Sequence, residues 1–329
     1  MKAVLCKELG PPERLVVEEL PGLSAGKDQV VIEVHAASVN FPDLLIIEGK
    51  YQFKPPLPFS PGSEVAGVVK EVGAGVTGLR PGDRVIGSAI WGGYAEEVAI
   101  DAARVIPVPE GVDLVTASAL LTAYGTSHHA LVDRAGLRAG ETLVVLGAAG
   151  GVGLAAVMIG KALGARVIAC AGSDEKLEVC RQHGAHEVVN YAREDLKERL
   201  KQLTAGEGAD VIYDPVGGPF AEPALRSIAW KGRYLVVGFA AGDIPRVPLN
   251  LVLLKGCQIV GVFWGAFSMR EPERFREGIA ELRAWLRDGR LRPFVSKTYP
   301  LERAADALRD MAERKVTGKV VLVTRHHAP

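Results

Sequence analysis

The densest run of chemically suggestive residues is Leu143-Val144-Val145-Leu146-Gly147-Ala148-Ala149-Gly150-Gly151-Val152-Gly153, followed by the helix-patterned Leu154–Leu163. An apolar strand, a turn of small residues and a helix come one after another in that order. Small side chains let the backbone turn tightly and come close to a pyrophosphate, and the last glycine lets the helix pack on its strand. Free N–H groups and the helix dipole then hold the phosphate charge. Ala148 stands where the pattern G-x-G-x-x-G has its first glycine, which leaves Ala148-x-Gly150-x-x-Gly153. A turn of this kind also serves plain packing in α/β proteins, but its element order and the strand after it favour a dinucleotide held by Ala148, Gly150, Gly151, Val152 and Gly153.

The choice of dinucleotide depends on the residues just after the second strand, Arg166–Ala171. An NAD site usually carries an acidic residue there for the ribose hydroxyls. Here the chain reads Gly172-Ser173-Asp174-Glu175-Lys176, with small residues at the turn and a cation after it, so a 2′-phosphate is accommodated and NADPH is favoured. Asp174 is the counter-argument, because it could fill the acidic role. Lys176 also reads as a solvated helix residue.

The elements that must position this turn change character along the chain. Up to about Pro109 the segments are short, β-branched and broken by Gly and Pro, as in Gln29–Val34, Val65–Val69 and Asp83–Ile86, which predicts a barrel-like β domain. After Gly111 a helical stretch at about Leu114–Val132 leads into alternating apolar strands, near 143–147, 166–170, 187–189, 210–214, 232–238 and 257–263, with helices between. That alternation predicts a doubly wound parallel sheet. Glu271–Arg287 and Leu301–Glu313 read as helices and Gly318–Val323 as a closing strand, a tail assigned to the first domain.

Composition narrows the partners. The 329 residues exceed the size at which one core keeps growing, so two domains are expected. Thirty-nine basic residues balance 39 acidic ones without a run of five like charges, which removes the footprint of a nucleic-acid or membrane-surface binder. Apolar runs fall well short of the roughly 20 residues that span a bilayer. The N-terminus has no apolar core of a secretory signal, and the four scattered cysteines form no CxxC pair, so reduced thiols and a cytoplasmic location are expected.

Five separate motifs, Asn40-Phe41-Pro42-Asp43, Gly49-Lys50-Tyr51, Pro61-Gly62-Ser63-Glu64-Val65-Ala66-Gly67, Leu121-Thr122-Ala123-Tyr124-Gly125 and the Ala148–Gly153 turn, together resemble the medium-chain dehydrogenase/reductase superfamily over nearly the whole chain. Within it the sequence is similar to the zinc-free quinone oxidoreductases, the zeta-crystallin-like branch. The resemblance implies a GroES-like catalytic domain built from residues 1–121 and 265–329, a Rossmann domain over residues 122–264, and a homodimer through the last Rossmann strand, about Gln258–Phe263. It also implies that Asn40 and Thr122 flank the nicotinamide, that Gly151-Val152 backbone holds the pyrophosphate, and that Gly172, Ser173, Lys176 and Tyr191 surround the 2′-phosphate. Backbone of Phe239-Ala240 and of Phe263-Trp264-Gly265 would meet the nicotinamide ribose and carboxamide, and Lys319 would reach the cofactor. Tyr191 and Phe239 also admit a core or surface reading, and Phe263-Trp264, at a strand end, one of hydrophobic packing or a dimer contact.

Where zinc-dependent relatives carry Cys, His and Cys, this chain has Asn40, Ser63 and about Ser118, which are poor zinc ligands, so no metal is expected. None of the seven histidines is read as having an acidic partner at helical spacing, and His128-His129 is placed on a helix surface. A Tyr found in some quinone oxidoreductases two residues beyond the motif Asp is Leu45 here, which makes the pocket more apolar. The expected reaction is hydride transfer from NADPH to a quinone, needing orientation rather than a nucleophile. Asn40 and Tyr51 are the candidate donors to the developing oxyanion, with Asp43 beside them. The alternatives are an enone or enoyl-thioester reductase, with Tyr51 assisting protonation, and a non-catalytic NADPH-binding protein.

Overall fold

In the computed structural model, which describes residues 1–327, the chain divides into two units: Met1–Thr122 with the segment from Arg292 onward, and Ala123–Leu291. The spine of the first is the eleven-residue strand Gln29–Val39, whose β-branched residues are buried on both faces. It pairs antiparallel with Glu64–Val72, with Glu97–Asp101 and with the C-terminal strand Lys319–Val323. Register shifts at Val31/Ile32 and Val34/Ala36 bend it. The sheet continues through Arg84–Ser88 to Val105–Pro107 on one side and to Val295–Pro300 on the other. Val30, Ile32, Val34, Val65, Val85, Leu308 and Leu322 share its core.

Pairing of Val320 with Val39 and of Val65 with Ala37 sets Lys319–Val323 and Glu64–Val72 on opposite sides of the spine. The chain then turns directly into the short helix Phe41–Ile47. Glu64, Asn40 and Lys319 therefore meet at one end of three neighbouring strands.

The second unit is the doubly wound sheet that alternation predicts. Six parallel strands lie in the order Glu187–Asn190, Arg166–Ala171, Thr142–Val145, Ala209–Asp214, Ile228–Val236, Gln258–Gly261. The order reverses beside Thr142–Val145, and ligands of such sheets bind outside the carboxyl ends of the strands at that reversal. The Gly147–Gly153 turn leaves the sheet there. No helix among the described residues is long and apolar enough to cross a membrane.

Three expectations need correction. The stretch Leu114–Val132 is not one helix: Leu114–Ser118 and Leu121–His128 are separate, and wider turns carry the chain on to Arg134. The second unit runs to Leu291 rather than 264, so Trp264–Arg270 and Pro272–Arg287 belong to it and not to the catalytic domain. The reason lies in the histidines, which are buried rather than on a helix surface. His129 stacks on Phe267 with centroids 3.8 Å apart and pairs at 2.8 Å with Asp133, four residues on, which contradicts the expectation that no histidine has an acidic partner at helical spacing. Asp133 in turn holds Arg274 at 2.6 Å, while His128 meets Glu281 at 2.9 Å and the edge of Trp285. These contacts fasten both late helices to the second unit.

Candidate functional site

In the second unit the strand Thr142–Val145 ends at Gly147, whose φ of +55° favours glycine. Gly150 heads the helix Gly151–Ala162 and supplies no side chain to cap it. The first N–H groups of any helix lack a carbonyl one turn back, so this end presents donors and a positive dipole end. Gly153 allows the close approach, because a Cβ there would lie 2.2 Å from the Gly147 carbonyl oxygen. Ser127 donates to the Val152 carbonyl at 2.8 Å and meets the Tyr213 hydroxyl at 2.9 Å, fixing the helix start. These are the features a pyrophosphate needs.

Beyond the second strand, Gly172 is exposed and Ser173 caps the helix Asp174–Gln182, accepting from the Lys176 N–H. The decisive residue is Asp174. Its carboxylate accepts from Asn190 Nδ2 at 2.6 Å and pairs with Arg193, and these contacts hold its pKa below the usual range. Each of its two oxygens thus already has a partner. Tyr191 lies within reach of Gly172 and packs on Phe220 with centroids 4.3 Å apart. The two rings line a cavity of about 630 Å³ together with Lys197, Arg226 and Arg246.

The other expected contacts fall less uniformly. Phe239 is partly exposed on a loop; its carbonyl accepts from Gly242 and the Ala240 N–H donates to Pro215, so part of that backbone is already engaged. Phe263 is exposed, whereas Trp264 opens a helix instead of ending a strand. Its indole packs against Gly125, where a Cβ would come within 2.8 Å, and against Phe275. Packing therefore accounts for Trp264. Gly265 lies in the same helix.

In the first unit Asn40, Asp43, Glu64 and Lys319 form one buried polar cluster with Tyr94. Asp43 Oδ2 accepts from the Asn40 N–H at 2.8 Å and from the Tyr94 hydroxyl at 2.9 Å; among the described residues its Oδ1 has no partner. Burial pushes the carboxyl up to about 6. Asn40 is not the free donor that the sequence suggests: Nδ2 donates to the Ser38 carbonyl at 3.3 Å and to Glu64 Oε2 at 3.4 Å. Its Oδ1 accepts from Lys319 Nζ at 2.5 Å, and the same ammonium reaches the Val39 carbonyl at 3.2 Å. Lys319, expected to point toward the cofactor, is thus held by Asn40 because Val320 pairs with Val39.

Glu64 is the member that sequence reasoning missed. Its other oxygen accepts from the Leu121 N–H, and Thr122 also donates to the carboxylate. Burial raises the Glu64 pKa against these donors and Lys319, while burial lowers that of Lys319 against the two carboxylates. The available signal was an acid directly before Val65-Ala66-Gly67-Val68-Val69, at a strand end. Tyr51 is half-buried beside Phe53, and burial raises its hydroxyl pKa.

These residues do not fit a catalytic zinc. Asn40, Ser63 and Ser118 are poor ligands, an ammonium already occupies Asn40 Oδ1, and among the described residues no three His, Cys, Asp or Glu are grouped to hold a metal.

Comparison with known proteins agrees with the architecture. Residues 26–110 match the alcohol dehydrogenase GroES-like domain and residues 151–284 the family model described as zinc-binding dehydrogenase. The chain is 41% identical over 328 residues to the quinone oxidoreductase-like protein 2 homolog of Nematostella vectensis, covering 98% of this chain and 89% of that protein. It is 36% identical over 326 residues to Homo sapiens quinone oxidoreductase, covering 98% of each. The crystal structure of Escherichia coli quinone oxidoreductase complexed with NADPH superimposes with a TM-score of 0.91 at 29% identity, covering 98% of this chain and all (100%) of that one. With its GroES-like unit, its Rossmann unit and these relatives, the chain belongs to the medium-chain dehydrogenase/reductase superfamily of oxidoreductases, in its quinone-oxidoreductase branch.

Proposed function

We propose that this protein passes a hydride from NADPH to a quinone or a similarly conjugated carbonyl compound, without a metal. The observation that carries this reading is the engagement of both Asp174 oxygens by Asn190 and Arg193, beside Gly172, Ser173 and Lys176 as the residues assigned to the 2′-phosphate. The NADPH complex of the Escherichia coli relative supports the same choice.

Bound NADPH supplies the hydride. The Gly147–Gly153 backbone and the start of Gly151–Ala162 hold the pyrophosphate, Tyr191 borders the adenosine, and Asn40 and Thr122 flank the nicotinamide. Backbone of Phe239, Phe263 and Gly265 contacts the nicotinamide end. Asn40 is a wall there rather than a donor, since both Nδ2 protons are taken. The Tyr51 hydroxyl is the donor for the oxygen on which charge develops, and its raised pKa keeps it protonated at neutral pH. Solvent supplies the proton to the reduced product.

The protein acts as a cytoplasmic homodimer. Gln258–Gly261 is the outer strand of its sheet, with Ile259 partly exposed. The same unit carries Trp230 at 66% exposure and Leu253 at 79%, with Leu249 and Leu254 also exposed. An uncovered strand edge and an apolar surface of this kind favour pairing with a second copy. Four buried free cysteines accord with a reducing compartment.

The test is a fluorescence titration with NADPH and NADH, followed by turnover with 1,4-benzoquinone, 9,10-phenanthrenequinone and crotonyl-CoA. NADPH-selective binding with quinone-dependent oxidation is the expected result. Preference for NADH would refute the reading of Asp174, and turnover of crotonyl-CoA alone would replace the quinone with an enoyl thioester. Tight NADPH binding with no turnover would leave a binding protein.

A further inference from the structure

Asn40, just past the end of Gln29–Val39, sits between two buried opposite charges from the strands on either side of that one. Glu64 is 1% exposed and Lys319 is 3% exposed. The ammonium can only donate and the ionised carboxylate can only accept. Lys319 therefore selects the Asn40 oxygen and Glu64 its NH2 group; a flipped amide would set donor against donor and acceptor against acceptor. The same carboxylate holds the Leu121 N–H and Thr122, where a new helix begins. These two buried charges thus orient two residues that are 82 positions apart in sequence.

We propose that Glu64 and Lys319 are a positioning pair for the nicotinamide subsite: together they lock the Asn40 amide in one orientation and tie it to Thr122. The proposal rests on the reading that Asn40 and Thr122 flank the nicotinamide. Neither charged group needs to touch the cofactor. Two buried opposite charges bridged by an amide are a weak source of stability compared with apolar packing, because both are desolvated. Their effect here is on the geometry of Asn40 and Thr122, which apolar residues of similar volume would not reproduce.

Stability and positioning separate in a set of variants: Glu64→Gln, Lys319→Met, the two combined, and Lys319→Met in an Asn40→Ala background. Each is measured for its melting temperature without cofactor, NADPH affinity by fluorescence, and kcat and KM for a quinone. Lys319→Met leaves the Glu64 and Asp43 carboxylates without their buried cation and melts lowest, Glu64→Gln leaves Lys319 facing Asp43 and melts less far below wild type, and the double variant melts above Lys319→Met. NADPH affinity falls roughly 10- to 100-fold on removal of a charge-assisted hydrogen bond, and it stays low in the double variant. In the Asn40→Ala background, Lys319→Met causes no further loss of affinity, since its route is through Asn40.

Full recovery of affinity and kcat in the double variant would overturn the proposal, as would an undiminished effect of Lys319→Met without the Asn40 amide. Wild-type protein that binds NADPH, with single variants that bind it equally well, would also overturn it while leaving the proposed function standing. Wild-type protein that binds no NADPH would remove both.

Discussion

Replacing Asp43 by Asn should remove a large pH-dependent part of the protein's stability. Asp43 is fully buried, and its carboxyl is pushed from 3.8 to about 6, chiefly by burial, against the donors from Asn40 and Tyr94. The folded state therefore holds this proton more tightly than the unfolded chain. The resulting stability is complete below the unfolded pKa and is lost as pH rises through the folded one, so the window is about pH 4 to 7. A shift of about 2 units at 1.36 kcal/mol each corresponds to about 3 kcal/mol. Urea unfolding of wild type and Asp43→Asn, followed by circular dichroism at pH values from 4 to 8, measures the difference. The wild type should lose about 3 kcal/mol relative to the variant across that window. A difference that stays constant with pH would refute the reasoning, because every other titrating group is common to both proteins.

Two further outcomes rest on packing. Gly153→Ala would drive a methyl group to 2.2 Å from the Gly147 carbonyl oxygen, so NADPH affinity should be lost and the second unit should melt lower by calorimetry; unchanged binding would mean the turn is looser than its geometry. Leu253→Glu puts a charge on the exposed apolar surface; the proposed homodimer predicts that sedimentation shows a dimer for the wild type and monomers for the variant, with the fold intact by circular dichroism.

What the sequence discloses depends on how local each signal is. Thr142–Val145 and the turn after it are legible because a buried strand, small residues and a helix lie within one continuous segment. The alternation that yields the parallel sheet is legible for the same reason. The limit of the second unit at Leu291 is not, since an amphipathic helix such as Pro272–Arg287 shows that it has an apolar face without showing which core receives it. Only the burial of His128 and His129 decides that. His129 and Asp133 stand in plain helical register, so that pair is itself legible along the chain, although its burial is not.

The buried cluster lies beyond local reading for a different reason. Lys319 at the start of a strand and Glu64 at the start of another each look ordinary, and a charge at a strand end is normally solvated. Only sheet pairing across Gln29–Val39 brings them to Asn40. Asn40 itself is recognisable by resemblance, but the partners that engage its amide come from distant segments.

Pairing of Lys319–Val323 with Gln29–Val39 also dictates an order of assembly on the ribosome. The contact between Lys319 and Asn40 spans 279 positions, so the early strand emerges from the exit tunnel long before the segment that completes its sheet. Every strand of the Rossmann unit has been synthesised by then, and domains generally fold as units during synthesis. The nascent GroES-like unit meanwhile carries an open edge at Ala36–Val39, exposed to wrong partners until the last strand arrives. Emergence of Lys319–Val323 from the tunnel is thus the moment at which the Asn40 end of the protein acquires its structure.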